Sequence, residues 1–425
     1  GLYRTGKSSL VNFLLGRQSG FTVGPTVSRC TRGIWMWGKP RRATLQNGDT
    51  CWILVLDTEG LGGLEADSSY DLRIFSLATL LCSTLVYNSL GTIDENAITS
   101  LSFVAQLTQH IRINKSDGDD FDDGELDAME FHNFFPTFAW VLRDFALDLV
   151  DEHGGSIEPD QYLESALKPQ VGFDEQTLER NRIRQMLTAF FTERKCFPLV
   201  RPVVDEDKLQ EIDTIPYEEL RPEFRDTIEE IGDFLYFHHV KPKVVNNVAL
   251  NGSSFAALCE QYIEAICSGG VPTITSAWEE VMEKECEDAS KRAIKVFDDE
   301  IDLQVNSNSR KGALEVDMLV DIHARAFKKA LQMFESRAGG EQAAHYQETL
   351  EMTLLQRLGE LQSSNYKKSL NQCALVITEM FKTSIEPKLS DTNDAGYLAN
   401  DSSPYEELQR DLDMITSQYR GSARV

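Results

Sequence analysis

The chain has 425 residues, 41% of them hydrophobic, and 42 basic against 68 acidic side chains give it a formal net charge of −26. That length carries two or three hydrophobic cores. The negative field opposes non-specific binding of nucleic acid, so a phosphate ligand needs a local positive pocket, and nucleic acid is excluded as a partner.

The opening stretch GLYRTGKSSL fits G-x-x-x-x-G-K-[ST] with Gly1, Gly6, Lys7 and Ser8. Loop amides from Gly1, Leu2, Tyr3, Arg4, Thr5, Gly6, Lys7, Ser8 and Ser9 can turn toward β- and γ-phosphates, Lys7 adds a point charge, and Ser8 offers a hydroxyl to Mg²⁺. Such a loop ordinarily follows a hydrophobic strand. None stands before Gly1, so the sequence predicts a sheet without its first, central strand and a chain that folds poorly or binds weakly until that strand is restored.

About two dozen residues on, TVSRCTRG brings Thr31 as a second hydroxyl for Mg²⁺, in a segment that a γ-phosphate would order. IWMWG and TCWILVLD flank QNGD, and Asn47-Gly48 is a two-residue hairpin signal. Residues 52–56 form an apolar run, read as a buried strand that delivers Asp57 to its carboxyl end. In LDTEG, Asp57-x-x-Gly60 places an acid to hold Mg²⁺ through water and an N–H, that of Gly60, to sense the γ-phosphate. Small GTPases place a glutamine directly after that glycine. Leu61 stands there and cannot orient water, which turns attention to Arg4 as a guanidinium supplied in cis.

YDLRIFSLATLLC reads as a crossover helix and STLVYNSLG as the next buried strand. AITSLSFVAQLTQHI reads as a helix with Ile98, Leu101, Val104, Ala105 and Thr108 on one face. DGDDFDDGELD (117–127) reads as a solvated acidic loop; as a calcium loop counted from Asp119 it fails because Phe121 occupies a ligand position. The strand FAWVL then ends at Arg143-Asp144. Guanine offers N1–H and N2–H₂ as adjacent donors to a carboxylate, and adenine does not. NKSD (114–117) and Arg143-Asp144 compete for that role. Asp144 is favoured because it closes a strand, where α/β sheets present ligand groups.

From about Ser253 the pattern is helical: Phe255, Leu258, Cys259, Tyr262, Ile263 and Ile266, then stripes from Trp278, from Leu319, and from Leu350 to Phe381. These stripes read as packed core. Eight cysteines, at 30, 51, 82, 196, 259, 267, 286 and 373, show neither C-x-x-C pairs nor zinc spacing, which predicts a reduced, cytoplasmic protein. No apolar run is long enough to span a bilayer, and GSARV carries no prenylation box. A membrane partner is therefore not indicated, though not excluded.

GLYRTGKS, TRGIWMW, DTEGLG, VYNSLGTI and FAWVLRDFALDL together resemble the guanylate-binding proteins, large GTPases of the dynamin superfamily related to atlastins. The similarity continues through YLESAL, ERKCFPLVRP and YIEAICSGGVP. The resemblance implies an α/β P-loop GTPase domain with a mostly parallel sheet over 1–243, a linker over 244–252, an elongated all-α helical domain over 253–390, and a polar, partly helical tail over 391–425. It implies Lys7 and Ser8 for phosphate and Mg²⁺, Arg4 as an internal arginine finger, Thr31 in the first switch, Asp57 and Glu59 in the second, and Arg143-Asp144 at the base. It further implies GTP and Mg²⁺ as ligands, GTP-dependent homodimerisation, and hydrolysis to GDP that some members carry on to GMP. Arg29 stands where vertebrate members tend to carry a water-positioning serine. The rival expectation is a catalytically weak nucleotide-binding scaffold whose helical domain recognises a protein partner.

Overall fold

The computed structural model describes residues 1–2, 5–17, 20–21, 31–45, 47–61, 68–107, 111–112, 134–151, 153–210, 212–308, 312–340, 342–390, 396–397 and 404–422. Tyr3, Arg4, Arg29, Thr108, the NKSD segment and the acidic loop lie outside the described residues. The chain packs as two units, Gly1–Val281 and Met282–Val425.

The first unit is built on a three-stranded parallel sheet, in the order β5 (Thr84–Leu90), β6 (Thr137–Arg143), β7 (Arg194–Leu199). All seven residues of β6 are buried, as a parallel strand covered on both faces requires. Alternation sorts its side chains. Ala139 and Val141 join Phe197 and Leu199 against α1 (Lys7–Leu14) and α7 (Pro222–Asp233), where Leu10, Phe13, Phe224 and Ile231 are buried. Phe138 and Trp140 face the other way, Trp140 meeting Tyr87 edge-on at 5.5 Å and donating its Nε1–H to Ser89 Oγ at 2.7 Å. Each such side chain contributes about 1.5–3 kcal/mol by leaving water.

The stretch before this sheet departs from expectation. Instead of one buried strand, residues 50–58 form β3 (Thr50–Ile53) and β4 (Leu56–Thr58), each paired antiparallel, β3 with β2 (Arg41–Thr44) and β4 with β1 (Ile34–Met36). Arg41 pairs with Ile53 and Met36 with Leu56, so the pairing register shifts by two residues around Gly38–Pro40. The apolar run reports hydrophobicity, and Trp52 is nonetheless 64% exposed. The hairpin end is where Asn47-Gly48 predicts it, with Gly48 at φ +87 and the Leu45 N–H donating to Asp49 O. The parallel part of the described strands is thus smaller than expected. A cavity of about 1180 Å³ is bounded by Leu10, Leu14, Leu56, Phe75, Val86 and Tyr87. Among the described residues β5 pairs only with β6, and β4 only with β1.

α2 (Ser68–Leu81) forms as the expected crossover helix. The next expected helix breaks into α3 (Glu95–Thr99) and a 3₁₀ turn, Ser102–Gln106. The Thr99 and Ser100 hydroxyls donate to the carbonyls of Glu95 and Asn96, a local alternative to continued helix. Ile98, Leu101 and Val104 are still buried. After α4 (Pro159–Ala166), α5 (Glu175–Phe190) and α6 (Glu206–Gln210), the segment read as a linker holds a hairpin. It pairs β8 (Val244–Val245) with β9 (Val248–Ala249), and Asn246 and Asn247 stand at φ +48 and +62 between them. α8 (Gly252–Cys267) starts on an Asn251 cap and buries Leu258 and Tyr262, while Ile263 is exposed.

The long helix α9 (Ile274–Asn308) carries the chain into the second unit. There Ala289, Ala293, Phe297 and Ile301 pack with Leu319, Ile322, Ala326 and Phe334 of α10 (Val316–Glu335) and with Leu350 and Leu354 of α11 (Ala343–Ser384). The stripe from Leu319 is core here and so is the start of the one from Leu350, whereas Leu370, Leu375, Ile377 and Phe381 further along α11 are exposed rather than packed as expected. After α12 (Glu386–Ser390), α13 (Pro404–Ser422) is tied by Asp411, which accepts from Lys388 Nζ at 2.7 Å and Tyr397 OH at 2.6 Å. Among the described residues no helix is long and apolar enough to cross a membrane.

Candidate functional site

The first loop is shaped by its glycines. Gly6 caps α1 at φ +73, a left-handed conformation that a β-carbon penalises, and such a carbon would also come within 3.2 Å of Arg143 Nη1. A β-carbon at Gly1 would meet the Asn88 carbonyl at 2.1 Å. Gly1 O accepts from the Leu61 N–H at 3.1 Å, which ties the loop's start to the segment after β4. Leu2 O accepts from both Lys7 Nζ and Thr5 Oγ1, each at 2.8 Å.

Two strand ends hold the loop's carbonyls. The parallel register places Asn88 beside Val141, on the α1 side of the sheet, and its Nδ2 donates to Thr5 O at 2.8 Å. Arg143 follows Ala139 and Val141 on that face, and its Nη1 donates to Gly6 O at 3.2 Å. Its side chain is buried, which draws its pKa down against the opposing field of Asp144. With the Thr5 and Gly6 carbonyls engaged, the N–H groups of these described residues are the part that can face an anion. Sequence reading assigned Arg143 to a base and passed over Asn88. The signal for Asn88 was an amide ending an apolar strand, in VYNS.

The hydroxyls and acid from three distant segments converge. Ser8 Oγ donates to Asp57 Oδ2 at 2.7 Å, Thr31 Oγ1 donates to the same oxygen at 3.1 Å, and the two hydroxyl oxygens lie 3.4 Å apart. Asp57 is buried, and burial pushes its carboxyl pKa up, against the hydrogen bonds from Ser8 and Thr31 and the Lys7 ammonium. Lys7 is drawn down to about 8 by burial, with Asp57 and Glu59 opposing. A desolvated carboxylate beside two hydroxyls is a hard, all-oxygen donor set that fits Mg²⁺. Among the described residues no cluster of three His, Cys, Asp or Glu side chains could hold a metal.

Glu59 is 2% exposed. Its Oε2 accepts from the Gly33 N–H at 2.7 Å and from Tyr70 OH at 3.1 Å, and its own N–H donates to Gly33 O at 2.9 Å. Gly60 and Leu61 are buried beside it. Ser9 lies within α1. Asp144 leaves β6 at φ +57 and pairs with Arg201 Nε at 3.4 Å, while Arg201 Nη1 donates to Glu206 at 3.2 Å. Thus Lys7, Ser8, Thr31, Asp57 and Glu59 form one cluster, and Arg143 links it to Asp144 along the end of a single strand.

Residues 1–244 match the family description "Guanylate-binding protein, N-terminal domain", and residues 246–422 match "Guanylate-binding protein, C-terminal domain". Guanylate-binding protein 6 of Homo sapiens is 34% identical over 387 residues, covering 91% of this chain and 59% of the relative. Guanylate-binding protein 5 of Homo sapiens is 34% identical over 382 residues, covering 90% and 63%. Guanylate-binding protein 3 of Mus musculus is 36% identical over 374 residues, covering 88% and 58%. The chain therefore spans about three-fifths of the length of these curated relatives.

Proposed function

Because the chain belongs to the guanylate-binding protein family, we propose that it is a large GTPase that binds GTP with Mg²⁺ and hydrolyses it to GDP. The observation that carries this reading is the convergence of Ser8, Thr31 and Asp57 on one buried oxygen cluster beside Lys7. Lys7 and the loop amides hold the phosphates, the former by exchanging Leu2 O for a phosphate oxygen. Ser8, Thr31 and Asp57 would hold Mg²⁺, which would supply positive charge against the phosphates. Glu59, fixed beside Gly33, orders the attacking water in the place that Leu61 cannot serve. Asp144 accepts both guanine donors, and Arg143 keeps the base end of β6 in register with the phosphate loop.

Arg4 is the arginine finger in this reading, meeting charge as it builds on the leaving oxygens. Arg4→Ala is expected to lower single-turnover hydrolysis by about a hundredfold or more while the Kd for GTP changes less than about threefold. Equal losses in both count against the finger. GTP-loaded chains pair through the face that carries the loop and switches, so turnover rises with protein concentration.

The deciding experiment is single-turnover incubation with GTP or ATP, with Mg²⁺ or excess chelator, at two protein concentrations, resolving di- and monophosphate products. Mg²⁺-dependent and concentration-dependent loss of GTP alone is the expected result. Binding of GTP without turnover sinks the hydrolase reading.

A further inference from the structure

Tyr70 stands in the first turn of α2, 38% exposed, with its hydroxyl on a carboxylate oxygen that is itself buried. That oxygen, Glu59 Oε2, takes a second donor from Gly33, two residues past Thr31. One atom therefore receives hydrogen bonds from two segments that join the site from different parts of the chain. Gly33 fixes the carboxylate from the β1 side, and Gly33 and Glu59 are also paired through their main chains. Tyr70 fixes it from the helix side. The last torsion of a glutamate is a broad two-fold well, and donors that converge on one oxygen from two directions narrow it to one orientation.

We infer that Tyr70 is a positioning residue for Glu59, setting the direction of the carboxylate that the proposed hydrolysis uses. The inference rests on that reading of Glu59. It assigns Tyr70 no contact with nucleotide, so its loss acts on turnover and not on binding. It also makes the start of α2 report on the segment carrying Thr31, through a single oxygen atom.

The test is a double-mutant cycle of Tyr70→Phe and Glu59→Gln in the full chain, with single-turnover GTP hydrolysis, GTP affinity and thermal unfolding measured on all four proteins. Tyr70→Phe is expected to slow hydrolysis about five- to tenfold, leave Kd within about twofold, and cost nothing further when Glu59→Gln is already present. A loss of the same size in the Glu59→Gln background overturns the inference, because Tyr70 then acts by another route. Unchanged hydrolysis in Tyr70→Phe overturns it as well. Parent-like hydrolysis in Glu59→Gln alone overturns it through the role given to Glu59, leaving GTP hydrolysis itself standing. No turnover in the parent protein marks the separate failure of the hydrolase reading.

Discussion

Lys7→Met is expected to weaken GTP binding by at least about a hundredfold, roughly 3 kcal/mol, while the ligand-free protein melts no lower than the parent. The two halves of this result have one cause. The Lys7 ammonium donates to the Leu2 carbonyl and is desolvated by burial, so its pKa falls from 10.5 to about 8. The unfolded chain holds that proton more tightly than the folded one. Stability therefore declines as pH falls from about 10.5 toward 8, and the penalty is fully present below 8, at about 3 kcal/mol with the opposing fields of Asp57 and Glu59 already included. Methionine keeps the length and apolar stem of lysine without the charge, which removes the penalty together with the phosphate contact. Titration with a fluorescent GTP analogue and thermal unfolding at pH 7 and pH 10 check both halves. A lower melting temperature in the variant at pH 7 counts against the desolvation account, and unchanged affinity counts against the phosphate role.

Asp144→Asn is expected to weaken GTP about a hundred- to a thousandfold and to raise the preference for xanthosine triphosphate. A carboxylate accepts both N1–H and N2–H₂ of guanine. An amide turns one of those acceptors into a donor, leaving a donor facing a donor, whereas the C2 carbonyl of xanthine accepts from it. The backbone accommodates the change, because asparagine tolerates the left-handed conformation at φ +57 as aspartate does. Arg201 keeps an oxygen to pair with. Competition binding of the two nucleotides to parent and variant decides the matter. Undiminished GTP affinity moves base recognition away from Asp144, toward the NKSD segment that the sequence also offers.

The opening glycine-lysine loop, the candidate residues Ser8, Thr31 and Asp57 and the strand ending at Arg143 were legible because each is announced by a short local pattern. Gly6 and Lys7 stand in a fixed spacing, Asp57 closes an apolar run, and FAWVL contains no residue that a buried parallel strand would refuse. The core of the second unit was legible for the same reason, since Ala289, Ala293 and Phe297, and likewise Leu319, Ile322 and Ala326, recur at helical spacing on faces that are covered. What remained hidden depends on partners. The apolar run at 52–56 could not reveal that it pairs with its own neighbours at 34–44, because hydrophobic content measures a wish for burial and Trp52 shows that the wish can go unmet. Asn88 and Tyr70 were missed because one amide and one phenol carry no signature until register and topology bring them to Thr5 and Glu59. Arg143 was read as part of a base site, and the sequence did not show that strand alternation also aims its guanidinium at Gly6 O while Asp144 leaves the strand at φ +57.

Asn88 and Arg143 brace the loop before any ligand arrives, each side chain already fixed on a carbonyl and each rooted in a buried strand. At Thr5 and Gly6 binding consequently freezes few further torsions, since the rotamers of Asn88 and Arg143 are set by these hydrogen bonds. A calorimetric signature follows, in which trimming either brace makes the binding entropy more unfavourable while the contact enthalpy with the phosphates stays nearly as it was.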